Sequence, residues 1–366
     1  MKRFARHPAP RFARRPAPRL ARRPAPRLAP RGAKCLAPCV AIAAVLLLSA
    51  CGEKKDALTP KHSQSLTLML DYFPNADHVG VYQALAEGDF ARAGLDVHVQ
   101  APSDPALPLK LLEAGKVDIA ISYEPELMLA RNQGLPLVSV GAIVQKPLTS
   151  IISIGSKHIT SPSQLRGKRV GDGGIPYEHA YLTTILAQAG VPLSSVRETN
   201  VGFNLVPAMV SGRVDATMGG YWNYEAIQLA ELKKHPDVIR VNHVGVPTYD
   251  ELILVVREST LTNHIAEIRN FVQALARGYE SVRRNPQAGV SSLVSANPGL
   301  DRKFQLASVL ATLPVFFPSN PSMPWGYQNQ ASWNAYGEWM LGHHLISNPN
   351  AVVDASTNEA LAGQGS

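Results

Sequence analysis

Three large aromatic rings and one carboxylate occupy four of five consecutive positions, Tyr221 to Glu225, in the stretch GGYWNYEAIQLA. A flat heteroaromatic ring offers two π-faces, and offset stacking against a tyrosine or tryptophan contributes about 0.5–1.5 kcal/mol per ring pair beyond the buried area. A carboxylate accepts a hydrogen bond from an exocyclic N–H at the edge of such a ring. A buried acid left without that donor costs about 1–3 kcal/mol. We therefore predict that Glu225, together with Trp222 or Tyr224, forms half of a clamp for a nucleobase-like ring.

The same stretch is also compatible with an ordinary helix start. Asn223 would then cap the first turn, Glu225 would interact with the helix dipole, and the rings would fill the surrounding core. The sequence leaves Trp222 open between site and core, and it favours packing for Tyr221. It favours a site for Glu225, because the β-rich run before it ends at this point.

A second group of candidates lies in the phrase DYFPNADH. Pro74 fixes a turn there, and we predict that Tyr72, Asn75 and His78 face a ligand, Tyr72 by stacking and His78 by donating to an oxygen. Local alternatives exist, because Asn75 also suits the cap of the following helix and His78 suits the closing of its first turn. Asp71 is expected to form a salt bridge within its own domain.

Further candidates come from a strand end, a glycine-rich turn and a loop. Tyr123 follows the strand-like run VDIAIS and is predicted to contact the ligand. Gly173 and Gly174 allow close approach of the backbone, and Tyr177 begins a helix whose N–H groups suit an anionic or carbonyl oxygen. An exposed glycine turn would give the same pattern. Trp325, in the loop MPWGY, is predicted to cover the cleft as a lid, with packing as its alternative.

The hydrophobic pattern predicts the elements that position these candidates. From Leu66, β-rich runs such as LTLMLDYF and VDIAISY alternate with helical stretches such as PELMLARNQG. This alternation indicates an α/β fold with largely parallel sheets. The phrase LLEAGKVDIAISYE is echoed by AMVSGRVDATMGGYWNYE, which indicates two lobes of similar plan. Because ligands lie beyond the carboxyl ends of parallel strands, we expect the candidates to meet in one cleft.

The formal charge of +8 comes from the first 50 residues. They hold twelve of the 36 lysines and arginines and no aspartate or glutamate, so the rest of the chain carries 24 basic and 28 acidic residues. A body with a net charge of −4 has no electrostatic footprint for nucleic acid. The apolar run CVAIAAVLLLSAC after this basic block is too short to span a bilayer and is typical of an export signal.

The letters LSAC at the end of that run, finishing at Cys51, resemble the lipobox of bacterial lipoproteins. The resemblance implies cleavage before Cys51 and acylation of its thiol, with an ordinary signal peptide as the alternative. Residues 1–50 would then be a leader, and residues 51–61 a tether that the lipid holds at the membrane.

The chain contains Cys35, Cys39 and Cys51 and no cysteine after position 51. The body therefore has no disulfide, thiolate metal site or cysteine nucleophile. It also has no Walker-type phosphate loop, no GxSxG and no HExxH motif. We predict no catalytic residue, no metal and no cofactor.

Four phrases carry a family resemblance: DYFPNADHVGVYQALAEGDFARAGLDV, PSDPALPLKLLEAGKVDIAISYEPELMLAR, GLPLVSVGAIVQKPLTSII and SPSQLRGKRVG. In combination they resemble the solute-binding proteins of ABC importers, within the group that binds pyrimidine precursors of thiamine and includes the related fungal pyrimidine synthases. The resemblance implies a type II periplasmic-binding-protein fold with two α/β lobes, a two-strand hinge and a cleft between the lobes. Lobe 1 would comprise residues 62–149 and 256–366, and lobe 2 residues 150–255.

The function that this resemblance implies is capture of a thiamine-type aminopyrimidine, such as formylaminopyrimidine or hydroxymethylpyrimidine. The protein would be a monomeric extracytoplasmic lipoprotein that presents its solute to an ABC permease. Riboflavin or another flat heterocycle is an alternative solute. Sulfonate or nitrate is another, although an anion site should place arginine or lysine at the strand ends.

An enzyme is the alternative class, either a pyrimidine-forming synthase or a hydrolase. The fungal synthases carry a cysteine-rich motif that this body lacks, which argues against that reading. A solute-sensing subunit that partners a receptor is a third alternative.

Overall fold

Two five-stranded sheets form the scaffold in the computed structural model, which describes residues 63–364. The predicted leader, the tether and Cys51 lie outside the described residues. The strands are β1 Gln64–Met69, β2 Leu95–Gln100, β3 Ile119–Ser122, β4 Leu137–Val144, β5 Thr149–Ile154, β6 Arg169–Asp172, β7 Arg197–Asn200, β8 Ala216–Tyr221, β9 Pro236–Arg240 and β10 Leu252–Arg257. The α-helices are α1 Val79–Glu87, α2 Asp89–Arg92, α3 Pro108–Glu113, α4 Glu124–Asn132, α5 Pro176–Gln188, α6 Leu205–Val210, α7 Glu225–Glu231, α8 Glu258–Arg284, α9 Pro286–Ala296, α10 Arg302–Thr312 and α11 Gln330–Gly342.

The two sheets repeat one plan. The first has the order β2-β1-β3-β10-β4, and the second has the order β7-β6-β8-β5-β9. In each sheet four strands run in one direction, and the fourth strand in the order is antiparallel to both of its neighbours. The inserted strands are β10 and β5, where the chain crosses between the lobes. The α/β fold with two lobes is therefore confirmed, and each sheet is mixed because a crossing strand enters it.

Two connections join the lobes, residues 145–148 between β4 and β5 and residues 241–251 between β9 and β10. The carboxyl group of Glu251 is fully buried between them. It accepts hydrogen bonds from Leu148 N at 2.6 Å, Thr149 N at 2.8 Å and the Tyr249 hydroxyl at 3.0 Å. One acid thus ties the two hinge segments together.

The return crossing lies slightly before the boundary expected from the sequence. The prediction assigned residues up to 255 to lobe 2, but β10 pairs with β4 in the first sheet from Leu252, which lies opposite Val144. From Ile253 the strand also pairs with β3 on its other side, so it is an inner strand of the first sheet.

The helical run HVGVYQALAEGDFARAG is divided in two. Helix α1 ends at Glu87 and α2 begins at Asp89. Gly88 between them has φ of +72° and its N–H bonds to the carbonyls of Ala84 and Leu85. A glycine in the left-handed region is a common helix end, and this one redirects the chain toward β2.

Helices α1 and α8 pack closely through two glycines. A methyl group added at Gly278 would lie 2.2 Å from the carbonyl oxygen of Gly80, and one added at Gly80 would lie 2.3 Å from the ring of Tyr279. The backbones can approach this closely only because neither position carries a side chain. Among the residues that the structure describes, no helix combines the length and apolar composition needed to cross a membrane.

This packing predicts that Gly278→Ala lowers the free energy of unfolding by about 1–3 kcal/mol, because the added methyl overpacks the contact between α1 and α8. Denaturant unfolding measures the change. Gly342→Ala is the matched control, since Gly342 also lies in a helix but has no atom within 4 Å of the added methyl. Equal effects of the two substitutions would contradict the prediction.

Candidate functional site

A cavity of about 440 Å³ lies between the lobes at the ends of the strands. Lobe 1 lines it with Asp71, Tyr72, Asn75, Pro105 and Tyr123. Lobe 2 lines it with Gly173, Ile175, Tyr177, Glu178, Leu205, Gly219, Tyr221, Tyr224 and Glu225. The residues after β1, β3, β6 and β8 thus meet in one place, as expected for strands whose carboxyl ends share an edge.

The structure brings most of the predicted site residues to this cavity. Those that line it are Tyr72, Asn75, Tyr123, Gly173, Tyr177, Tyr224 and Glu225. His78, Gly174, Trp222 and Trp325 do not line it, and each has another role in the structure.

His78 closes the turn that carries Asn75. It is fully buried, its Nδ1 accepts from Asn75 N at 3.2 Å, and its Nε2 lies 2.8 Å from Asp71 Oδ1. Because Nδ1 accepts, Nε2 carries the proton and donates to Asp71. His78 thus takes this local role and does not line the cavity. The partner expected for Asp71 within its own lobe is this neutral histidine, so the contact is a hydrogen bond and not a salt bridge.

Both tryptophans pack away from the cavity. The indole of Trp222 donates from Nε1 to Pro147 O at 3.0 Å, and the Arg240 guanidinium lies 4.2 Å from the ring centroid. The ring of Trp325 stacks on Tyr279 with centroids 4.8 Å apart. Trp222 is thus held against the hinge and Trp325 against α8, which is the packing alternative for each, and neither lines the cavity.

Gly174 belongs to the turn after β6 and does not line the cavity. Its φ is +81°, and an added methyl would lie 2.1 Å from the side-chain nitrogen of Asn200. The neighbouring Gly173 does line the cavity, and its N–H donates to Glu178 Oε2 at 2.8 Å. Only one of the two predicted glycines therefore borders the space available to a ligand.

Five tyrosines give the cavity its aromatic walls, Tyr72 and Tyr123 from lobe 1 and Tyr177, Tyr221 and Tyr224 from lobe 2. The rings of Tyr123 and Tyr177 meet across the cleft with centroids 5.2 Å apart. Burial raises the pKa of all five phenols, so they stay neutral and act as hydrogen-bonding groups.

Glu178 is a buried acid held by backbone amides. Its Oε2 accepts from Gly173 N at 2.8 Å and from Ile175 N at 3.2 Å, and burial raises its pKa well above the ordinary range. Gly219 on β8 makes room for it, because an added methyl there would lie 1.8 Å from Glu178 Oε1. Gly219 also has φ of +93°, so both space and conformation require glycine.

Glu225 begins α7 at the cavity wall. Its Oε2 accepts from Tyr221 N at 2.8 Å, and the other oxygen has no hydrogen bond to any residue that the structure describes. Burial raises the pKa of Glu225 to about 7. Near neutral pH its carboxyl therefore exists in both forms, able to accept a hydrogen bond when ionised and to donate one when protonated.

The charges in the cavity have one sign. Asp71, Glu178 and Glu225 line it, and no lysine or arginine is among the described lining residues. Asp71 is held by His78 and by the Tyr123 hydroxyl, which donates to Oδ2 at 3.0 Å. This arrangement suits a neutral or cationic ligand with N–H donors, and it provides no cationic partner for an anion.

Comparison with known proteins identifies the family. Residues 75–289 match the family model described as NMT1/THI5 like. The formylaminopyrimidine-binding protein of Halalkalibacterium halodurans is 34% identical over 322 residues, which cover 86% of this chain and 96% of that protein. This chain belongs to the NMT1/THI5-like family.

A more distant relative is the 4-amino-5-hydroxymethyl-2-methylpyrimidine phosphate synthase of Legionella pneumophila, 24% identical over 69% of this chain and 79% of that protein. Among solved structures, the alkanesulfonate-binding protein SsuA of Xanthomonas axonopodis superposes with a TM-score of 0.63 and 16% identity, covering 80% of this chain and 98% of that one. This likeness shows the fold, which is the periplasmic-binding-protein fold implied by the sequence resemblance.

Sequence reasoning missed several lining residues of this family member. Glu178 could have been found, because a glutamate at the third position of a helix commonly accepts a hydrogen bond from the backbone just before the helix. Tyr221 was assigned to packing and Asp71 only to a salt bridge, yet both line the cavity. Pro105, Ile175 and Leu205 gave no signal beyond being apolar.

The raised pKa of Glu225 predicts a pH dependence of stability. The folded protein holds this proton with a pKa of about 7 against an ordinary 4.5, so its contribution to the free energy of unfolding is complete below pH 4.5 and is lost as the pH rises through 7. A glutamine at this position does not titrate, so Glu225→Gln does not lose this stability as the pH rises. The stability of the variant relative to the natural protein should therefore increase between pH 4.5 and 7.5.

Urea unfolding across this pH range checks the difference. Glu231→Gln, an exposed position at the other end of α7, is the control and should show a constant difference from the natural protein. A constant difference for Glu225→Gln as well would mean that Glu225 titrates normally in the folded protein.

Proposed function

We propose that this protein is an extracytoplasmic solute-binding protein that captures a thiamine-type aminopyrimidine, such as formylaminopyrimidine or hydroxymethylpyrimidine. The main support is the cavity itself, in which five tyrosines surround three carboxyl groups and no lysine or arginine is among the described lining residues. The name of the Halalkalibacterium halodurans relative, which aligns over nearly its whole length, points to the same class of solute.

In this proposal the pyrimidine ring lies among the tyrosine rings and its amino group donates to Glu225. An aminopyrimidine presents an N–H donor next to a ring nitrogen that accepts. A carboxyl group with a pKa of about 7 matches this edge, because its ionised form accepts from the amino group and its protonated form also donates to the ring nitrogen. Tyr72 and Tyr224 stand on opposite lobes, so a ring between them joins the lobes.

The proposed mechanism is closure of two lobes about the hinge. Lobe 1 comprises residues 62–149 and 256–366 and lobe 2 residues 150–255, apart from the start of β10. The solute completes both half-sites and shifts the population toward the closed form. An ABC permease recognises the closed form. A lipid on Cys51 keeps the monomeric protein at the outer face of the membrane.

The alternative solutes fit the cavity less well. Sulfonate or nitrate would face three carboxyl groups and no described cation. Riboflavin is much larger than one pyrimidine, so it would hold the two lobes farther apart than a single ring does. A synthase is disfavoured because the chain has no cysteine after position 51.

Calorimetry with formylaminopyrimidine tests the assignment of solute. Glu225→Gln should weaken binding about tenfold or more, because a hydrogen bond to a charged acceptor is replaced by one to a neutral amide. Glu231→Gln should bind like the natural protein. Binding of riboflavin or an alkanesulfonate but not of formylaminopyrimidine would refute the proposed solute, and full affinity in Glu225→Gln would remove this acid from the site.

The lipid anchor has its own test. In a bacterial host that processes lipoproteins, the natural chain should sediment with membranes and the mature N-terminal peptide should carry the mass of an acylated cysteine. Cys51→Ser should leave the protein outside the cytoplasm but in the soluble fraction, because the thiol is the acylation site. Cys39→Ser is the control and should remain with the membrane. Equal fractionation of all three proteins would argue for an ordinary signal peptide.

A further inference from the structure

The side-chain amide of Asn223 on lobe 2 forms a bridge to lobe 1 close to the cavity. Asn223 lies on the turn between β8 and α7 of lobe 2 and is fully buried. Its Nδ2 donates to Asp77 Oδ1 at 2.7 Å and to Thr312 Oγ1 at 2.6 Å, both on lobe 1. The backbone oxygen of Asn223 also accepts from the Ser308 hydroxyl. This turn of lobe 2 is therefore bound to lobe 1 through polar contacts.

The lobe 1 end of the bridge is fixed by its own contacts. The backbone N–H of Asp77 donates to Asn75 Oδ1 at 2.8 Å, and its carbonyl oxygen accepts from the Tyr279 hydroxyl at 2.6 Å. Asn75 lines the cavity. The bridge thus joins one half-site to the other, since Asn75 belongs to lobe 1 and the residues after Asn223 belong to lobe 2.

The lobe 2 end of the bridge carries the ligand-facing groups. Asn223 is followed directly by Tyr224 and Glu225, which both line the cavity, whereas Asn223 and Asp77 do not line it. A shift of this turn would move the Tyr224 ring and the Glu225 carboxyl together. Asn223 can therefore affect a solute only through its neighbours.

Closing this contact has a cost as well as a gain. Asp77 Oδ2 and Asn223 Oδ1 are buried without a hydrogen-bonding partner among the residues described, and water would reach them if the lobes separated. Burying such atoms opposes closure, while the two bonds from Asn223 favour it. A bridge balanced in this way leaves part of the population closed without solute, and the solute shifts the equilibrium further toward the closed form.

We infer that Asn223 is a positioning residue that docks the Tyr224–Glu225 turn onto Asp77 and Thr312 when the lobes close. The inference deepens the proposed function and rests on it for the identity of the solute. The bridge itself is a contact between the lobes and is independent of which solute binds.

Exchanging the side chains of Asn223 and Asp77 tests this role. The measurements are made at pH 8, because burial raises the pKa of Asp77 to about 7. Asn223→Asp places two carboxylates opposite each other and should weaken binding of formylaminopyrimidine about tenfold or more. Asp77→Asn keeps an acceptor for Asn223 and should have a smaller effect. The double variant restores one donor and one acceptor in reverse order and should recover most of the affinity.

Asn263→Asp is the control, because this asparagine lies exposed on α8 of lobe 1 and should not alter binding. Natural affinity in Asn223→Asp, or a double variant that binds no better than Asn223→Asp, would overturn the inference. Rescue by the exchange separates positioning from general damage to the fold, which a second substitution would not repair.

If the natural protein does not bind formylaminopyrimidine, the proposed solute fails and the bridge is still tested. Small-angle X-ray scattering of the proteins without solute then decides. A larger radius of gyration for Asn223→Asp that returns toward the natural value in the double variant supports the bridge. Equal radii for all variants overturn it.

Discussion

Buried carboxyl groups held by backbone amides are the interaction on which this structure depends. Glu178 is held by two amides of the turn after β6, Glu225 by one amide at the end of β8, and Glu251 by two amides at the hinge. An acid in such a place must be hydrogen-bonded or keep its proton, because its desolvation is costly. Each acid therefore fixes the conformation of the turn that surrounds it. The cavity gains carboxyl groups in defined positions without a lysine or arginine among the described lining residues.

The hinge acid relates this local chemistry to the topology. Glu251 binds amides of the outgoing connection from a position on the returning one, so both segments turn together. The strands that follow these segments, β5 and β10, are the antiparallel members of their sheets. A rotation at the hinge consequently moves each sheet as a unit. The rigid parts of the molecule thus reach up to the cavity walls. The bridge formed by Asn223 is one of the contacts between the lobes that a rotation would break, together with those of Tyr224 with Gln305 and of Tyr181 with Tyr336.

The sequence predicted the lobes and the location of the cavity because both follow from patterns along the chain. Alternating β-rich and helical runs identify the strands, and the ends of parallel strands share an edge. It could not predict side-chain direction at the turns. Trp222 and Tyr224 are two residues apart, yet the first donates to Pro147 at the hinge and the second borders the cavity. In the same way, Asn75 lines the cavity and His78 does not, because the histidine closes the turn that carries the asparagine. Such outcomes depend on partners distant in the sequence.

Specificity in such a cavity depends on where hydrogen-bond donors, hydrogen-bond acceptors and charged groups lie. A solute that offers only acceptors would leave Glu225 without a hydrogen-bond donor, whereas an amino group on a flat ring supplies one. The neutral tyrosines add stacking surface and hydroxyls without adding charge. A ring that binds here contacts both lobes at once, so the free energy gained by binding its amino edge also stabilises the closed form. Recognition and closure are in this way one event, because Glu225 and the bridging Asn223 lie on the same turn.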